Sequence, residues 1–316
     1  MKKKIAIIVA AALALVVASC SDKSPDGRTD TVNSGTVSFA ADASFSPLIQ
    51  EEIEIFESQH PNAKLKPIWT NESDGLNKLL KDSIWLMITA RDFKKSEYDN
   101  LYKRQFRPSS VMIAYDALAL IVNNANRDTL ISVPDFKRIL NGEVTQWSQL
   151  YKDANQGEIT VVFDNKKSST VHFVEDSVLG GKPIKSPNVS AVNTSAEVIN
   201  YVEKNPGAIG IIGNNWLNDK RDTTNLTFNK NIRVMRVSKV SPATLQNSYG
   251  PYQAYIYTDD YPLVRTIYAL LNDPHDGLPT GFAHFLQSPI GQRIVLKTGL
   301  LPAYGDITFR DVKVSE

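Results

Sequence analysis

The sequence predicts an α/β architecture of two lobes, each a mostly parallel sheet flanked by helices, joined by two crossing strands. Three observations carry this reading. From Thr36 onward, short apolar runs alternate with amphipathic segments. One apolar stretch, Val111 to Val122, is broken only by Tyr115-Asp116 and runs to about twice an ordinary strand, as a strand leaving one lobe for the other would. The chain of 316 residues also exceeds what one core usually serves, so two cores are expected.

The elements follow in order. Thr36 to Ala41 reads as the first strand. It feeds a helix opened by Ser46-Pro47, a cap residue and a proline at the first helical position, with Ile49, Ile53 and Phe56 as the buried stripe and His60-Pro61-Asn62 as its end. Lys64 to Trp69 is a second strand, followed by a short helix through Leu76, Leu79 and Leu80; Ile84 to Ile88 is a third strand. Beyond the long crossing strand, Ser132 and Pro134 open a helix with Val133, Phe136, Ile139 and Leu140 on one face and Gly142 past its end. Strand Glu158 to Phe163 precedes a helix carrying Val171, Val174 and Val178, which Gly180-Gly181 stops. Thr194-Ser195-Ala196-Glu197 is a capping box, because the threonine hydroxyl and the glutamate can each satisfy a free backbone N–H. Its helix ends at Asn205-Pro206-Gly207 before strand Ala208 to Ile212. Gln253 to Tyr257 reads as the return crossing, and Leu263 to Leu271, Thr280 to Gln287 and Ser288 to Thr298 read as helices. The expected divisions are residues 1–19 as a signal peptide, 20–35 as a lipidated tether, 36–115 with 253–316 as lobe I, and 116–252 as lobe II.

Charge and cysteine content narrow the class. With 35 Lys+Arg against 34 Asp+Glu and no long block of either sign, no nucleic-acid partner is expected. Met1-Lys2-Lys3-Lys4 precedes fourteen uncharged, mostly apolar residues, Ile5 to Ala18, too short a run for a stable membrane span and suited to an export signal. The run ends in Val17-Ala18-Ser19-Cys20, which resembles the lipobox of bacterial lipoproteins, in which the cysteine is acylated and becomes the first mature residue. The alternative is an ordinary signal peptide with a free Cys20. Cys20 is the only cysteine, so the exported body has no disulfides and depends on its apolar cores. Ser21 to Gly35, poor in large apolar side chains, reads as a flexible tether.

Three loops share one design, in which a strand ends and small hydroxyl or amide residues introduce a helix: Asp42 to Phe45, Asn71 to Gly75 and Lys166 to Thr170. Backbone N–H groups and hydroxyls there can hold an anion, and in open α/β sheets such loops converge beyond the strand ends. The same Ser and Thr residues also serve as plain helix caps. The histidines His60, His172, His275 and His284 show no metal-ligand spacing, and no Gly-x-Ser-x-Gly, Walker A or Gly-x-Gly-x-x-Gly stands in a strand-to-helix turn. Trp69, Trp85, Trp147 and Trp216 read as core residues. Neither a metal nor a cofactor is expected.

Ile113 to Asn123, Ile139-Leu140-Asn141-Gly142 through Trp147, Asn205-Pro206-Gly207-Ala208-Ile209-Gly210, and Ser288-Pro289-Ile290-Gly291-Gln292 with Lys297-Thr298-Gly299 stand in one order along nearly the whole chain. Together they resemble the phosphate-binding proteins of Pst-type ABC transporters. The resemblance implies a type II periplasmic binding protein fold and a binding protein, not an enzyme, that takes inorganic phosphate to an ABC permease. A monomer is expected, and the lipobox-like run implies that it is exported and lipid-anchored through Cys20 at the cell membrane or a periplasm-facing membrane. Sulfate, molybdate or an organic phosphate would suit the same fold, and a phosphate sensor is a related alternative. The rival from another class is a secreted phosphoester hydrolase using Ser168 or Thr170, for which the sequence offers no adjacent base or metal cluster.

Residue by residue, the family's first-loop pair is matched by Ser44-Phe45, and its second-loop serine falls at Glu72 or Ser73. Its third-loop Gly-Ser-Gly-Thr appears as Lys167-Ser168-Ser169-Thr170, keeping the hydroxyls and losing both glycines. Where the family has an aspartate after its third strand this chain has Arg91, and where it has an arginine before the third loop this chain has Asp164. That exchange predicts a pair across the cleft, with Arg91 supplying the guanidinium and Asp164 orienting it or accepting the ligand's proton.

Overall fold

The computed structural model describes residues 27–152, 157–217 and 230–305. The signal segment, Cys20 and the first part of the expected tether lie outside them. The strands are β1 (Gly35–Asp42), β2 (Ala63–Thr70), β3 (Leu86–Thr89), β4 (Ser109–Asn123), β5 (Leu130–Ser132), β6 (Thr160–Phe163), β7 (Val189–Ala191), β8 (Ala208–Gly213), β9 (Ile232–Val234), β10 (Arg236–Ser238), β11 (Ser248–Tyr249), β12 (Val264–Leu271) and β13 (Leu301–Pro302). The helices are α1 (Ser46–Gln59), α2 (Glu72–Leu80), α3 (Lys95–Lys103), α4 (Val133–Leu140), α5 (Ser169–Phe173), α6 (Ser195–Lys204), α7 (Gln253–Tyr257), α8 (Leu278–Gln287) and α9 (Pro289–Lys297).

The main sheet runs β2-β1-β3-β12-β4-β8-β6-β7. β1 lies parallel to β2 and β3, and β6 parallel to β7 and β8, so each half is mostly parallel. β12 and β4 pair antiparallel between these halves. The two-lobe α/β fold is therefore present, and β4 is the crossing strand expected at Val111 to Val122. The cores divide along β4: Ile113 and Ala114 pack with Phe39, Phe56 and Phe282 in one, while Ala117 and Leu118 pack with Phe136, Trp147 and Phe163 in the other.

Local chemistry accounts for the boundaries. Ser132 accepts the backbone N–H of Asp135 at 3.1 Å, and Thr194 that of Glu197 at 3.2 Å, so both expected caps start their helices. Gly142 ends α4 at φ +79°, a left-handed conformation that disfavours a side chain. At α1 the expected cap differs: Phe45 is the flanking residue, and Ser46 is already helical.

Three expectations are corrected, two of them on the return path. Gln253 to Tyr257 is the helix α7, and Ile256, Tyr261 and Leu263 pack in the second core, so the chain returns at Val264. Val264–Leu271 is a strand and not a helix, because its burial alternates along β-branched and aromatic residues inserted between β3 and β4. The expected tether also ends early. Arg28 bonds Asp30 and Asp273 at 2.7 Å each and lies over the Trp85 ring, while Asp30 accepts the N–H of Leu278. Residues 28–35 are thus fastened to the first lobe. Of the tryptophans, Trp147 is fully buried, whereas Trp69 is 38% exposed.

Candidate functional site

The site sits where β4 and β12 run side by side between the lobes. Asp116 interrupts the apolar run of β4 and is completely buried, so it needs a partner. That partner is Arg265 on β12, directly opposite in register, with Nε and Nη2 at 2.9 and 2.8 Å from Asp116 Oδ2. Burial pushes the Asp116 carboxyl up, against the pull of the guanidinium. Asn214 N–H donates to the other Asp116 oxygen at 2.9 Å. Gly213 makes this approach possible: a Cβ there would lie 3.0 Å from Asp116 Oδ2 and 3.2 Å from Arg265 Nη2.

With one edge fixed by Asp116, the guanidinium faces hydroxyls from both lobes. Nη1 donates to Ser169 at 2.8 Å and Thr170 at 3.4 Å, and Nη2 to Ser44 at 3.2 Å. Phe45 lies beneath, with its ring centroid 4.5 Å from the guanidinium carbon, where the ring face favours a cation. Ser44 and Ser169 oxygens are 3.4 Å apart, although 125 residues separate them. From the second lobe, Asn215 and Trp216 both donate to the Ser44 carbonyl, at 3.1 and 2.8 Å. Asp42 accepts the N–H of Ser44 at 2.9 Å and that of Ser169 at 3.1 Å.

Asp164 completes the cluster from the second lobe. It accepts from Ser168 at 2.8 Å, Ser195 at 3.3 Å and Thr170 at 3.4 Å. Burial, helped by the negative charge of Asp42, pushes its carboxyl up to about 6, and the Ser168 hydroxyl and Arg265 only partly offset this. Ser168 also caps α5 through the N–H of Val171.

Of the residues expected at the site, Ser44, Phe45, Asp164, Ser169 and Thr170 come together, with Ser168 behind them. Arg91 does not join. Its guanidinium is held in a two-pronged pair with Glu97, at 2.7 and 2.8 Å, and Asp164 takes its bonds elsewhere, so the expected Arg91–Asp164 pair is corrected. Glu72 is also committed: it accepts from Thr89 at 2.8 Å and lies 2.8 Å from His172 Nδ1 across the cleft. Burial would raise Glu72, yet these hydrogen bonds hold it below the usual carboxylate value, and the same contact raises His172. Glu72, Ser73, Arg91 and His172 line a separate cavity of about 380 Å³. The residues the sequence reading missed are Asp42, Asp116, Ser195, Asn215 and Arg265. Asp116 was visible as a charge inside an apolar strand, and Arg265 as a charge on the buried face of β12 with Ile267 and Ala269.

Among the described residues no group of three or more His, Cys, Asp or Glu side chains could hold a metal ion, and no helix is long and apolar enough to cross a membrane. The donors instead suit a small oxyanion, since a guanidinium, three hydroxyls and two N–H groups converge between the lobes.

Known proteins share this fold. The phosphate-binding protein PstS of Borreliella burgdorferi is 25% identical over 277 residues, covering 85% of this chain and 90% of that protein. PstS of Pseudomonas aeruginosa is 22% identical, covering 95% of this chain and 93% of its own length. In fold, the chain is similar to a putative phosphate ABC transporter substrate-binding protein from Clostridium perfringens, solved with bound phosphate, at a TM-score of 0.69, 21% identity, and coverage of 85% of this chain and all of that one. The profile of the "PBP superfamily domain" matches residues 26–289. That span runs from ahead of β1 to the start of α9 and takes in both lobes and the cluster between them, and the chain belongs to the PBP superfamily.

Proposed function

We propose that this protein is an extracytoplasmic binding protein that closes on inorganic phosphate and delivers it to an ABC permease, without catalysing a reaction. The observation that carries the reading is Arg265, braced by Asp116 and aimed at hydroxyls from both lobes. In this reading Ser44, Ser169 and Thr170 donate to the phosphate oxygens beside the guanidinium, and Asp164, whose carboxyl is raised to about 6, receives or shares the ligand's proton. A fully ionised sulfate brings no such proton. Phosphate as the ligand, and the permease as the partner, rest on the names of the similar proteins.

Lipid anchoring through Cys20 belongs to the same proposal and rests on the lipobox-like Val17-Ala18-Ser19-Cys20. Cys20→Ser is expected to move the protein from the membrane fraction to the soluble one with its melting temperature unchanged. A serine variant that still sediments with membranes would remove the anchor.

Calorimetric titration with phosphate, sulfate and molybdate tests the ligand. Ser44→Ala and Thr170→Ala should each weaken phosphate binding by about 1.5 to 3 kcal/mol, the range for a hydrogen bond to a charged group. Arg265→Lys keeps the charge but loses the planar fork, and should cost about a hundredfold. Phosphate affinities equal to the parent in all three variants would move the ligand away from this cluster.

A further inference from the structure

Asp42 stands out because its carboxylate is placed as a ligand would be. It ends β1, is only 1% exposed, and joins the two lobes: one oxygen accepts the N–H of Ser44 and the other that of Ser169. These are donors that an oxyanion in this cluster would also use. We propose that Asp42 is an internal stand-in for the ligand: its carboxylate occupies oxyanion donors from both lobes, holds the unliganded protein closed, and must be displaced when phosphate binds.

Charge argues the same way. Asp116 bonds Arg265 directly, Asp164 feels the charges of Arg265 and Asp42, and Asp42 accepts from the backbone of Ser44 and Ser169, whose hydroxyls the same guanidinium holds, so the two bonds that Arg265 makes to Asp116 already commit it to one carboxylate. Bringing a phosphate anion into that setting places like charges side by side in a buried site, which is costly unless one of them leaves. Asp116 cannot leave, since Arg265 and Asn214 hold it from two sides. Asp164 is tied to three hydroxyls of its own lobe. Asp42 alone has contacts that a phosphate oxygen can replace one for one: both of its partners are N–H groups, and both would remain satisfied.

Displacement would make Asp42 a setting for affinity. Each phosphate that binds must break the two bonds that Asp42 makes, so the protein binds less tightly than its donor set allows.

The inference rests on the phosphate reading above, and the test separates the two. On the full-length chain, phosphate affinity is measured by calorimetry for the parent, Asp42→Asn and Asp42→Ala, with small-angle scattering of each protein with and without phosphate. Asn keeps an oxygen for the Ser44 N–H but loses the charge and cannot accept at both ends, so it guards against a fold defect in the alanine variant. Both variants should bind phosphate about tenfold tighter or more. Both should also show a larger radius of gyration than the parent without phosphate, and the parent's value with it. If the parent binds phosphate and both variants bind it equally or more weakly, Asp42 is no stand-in, while the phosphate reading survives. If neither parent nor variants bind phosphate, the phosphate reading fails and the inference fails with it.

Discussion

Replacing Glu52 by glutamine would test how the first core tolerates an acid. Glu52 lies on α1 among Leu48, Ile49, Ile53 and Phe56, is fully buried, and neither of its oxygens has a hydrogen-bond partner among the described residues. Burial, with the neighbouring charge of Glu51 adding, pushes its carboxyl from 4.5 up to about 9. The folded protein therefore holds a proton that the unfolded chain releases above pH 4.5. Because the folded value is raised, the acid's favourable contribution is complete below 4.5 and declines as pH rises toward 9, by about 1.4 kcal/mol per pH unit. Between pH 4.5 and pH 7 that amounts to about 3 kcal/mol. Glu52→Gln has nearly the same shape and no proton to hold, so it should match the parent near pH 4.5 and exceed it by about 3 kcal/mol at pH 7. Urea denaturation of parent and variant at pH 4.5, 6, 7 and 8.5 measures the difference. A difference that stays constant across that range would show that Glu52 does not carry a proton in the folded state.

Three further outcomes follow from the site. Gly213→Ala should lower stability by about 1 to 3 kcal/mol in thermal or urea melts, since its Cβ would press on the Asn215, Asp116 and Arg265 side chains at 2.8 to 3.2 Å; a variant as stable as the parent would show that the pair can shift freely. Asp164, raised from 3.8 to about 6, should make Asp164→Asn more stable than the parent by up to about 3 kcal/mol above pH 6, with the gain gone below pH 4; an equal gain at both pH values would refute the assignment. Arg91→Ala should leave phosphate affinity within about threefold of the parent, because Glu97 already holds that guanidinium; a hundredfold loss would return Arg91 to the ligand.

The parts of the fold legible in the sequence are those where local chemistry and burial agree. Ser132, Thr194 and Gly142 mark helix ends through bonds or dihedrals that need only their immediate neighbours. α3 buries only Leu101, so its apolar signal is too thin to read. β12 was misread because Leu263 to Leu271 is apolar nearly throughout, and a buried strand and a buried helix then look alike; the charge at Arg265 was the clue to a period of two. Ser44, Ser169 and Thr170 were legible as loop hydroxyls, but the guanidinium they meet, that of Arg265, was not. Pairing across a cleft depends on which strands become neighbours, and the exchanged charges of Arg91 and Asp164 suggested a pair that the register does not make. Arg265 meets Asp116 only because β12 lies antiparallel to β4 in one particular register.

That late insertion of β12 also sets an order of assembly. A chain that emerges amino terminus first delivers β1, β2, β3 and β4 early, yet β3 and β4 are not neighbours: the strand between them begins at residue 264. Until it arrives, the first lobe has a slot with an unpaired strand edge on each side, and the second lobe can already pair β8 with the far half of β4, and β6 with β8 and β7. Open edges of this kind invite pairing with other chains. The amino-terminal lobe is thus the last to be completed, and a chain stalled or cut before residue 264 would carry a formed second lobe beside a first lobe prone to aggregation.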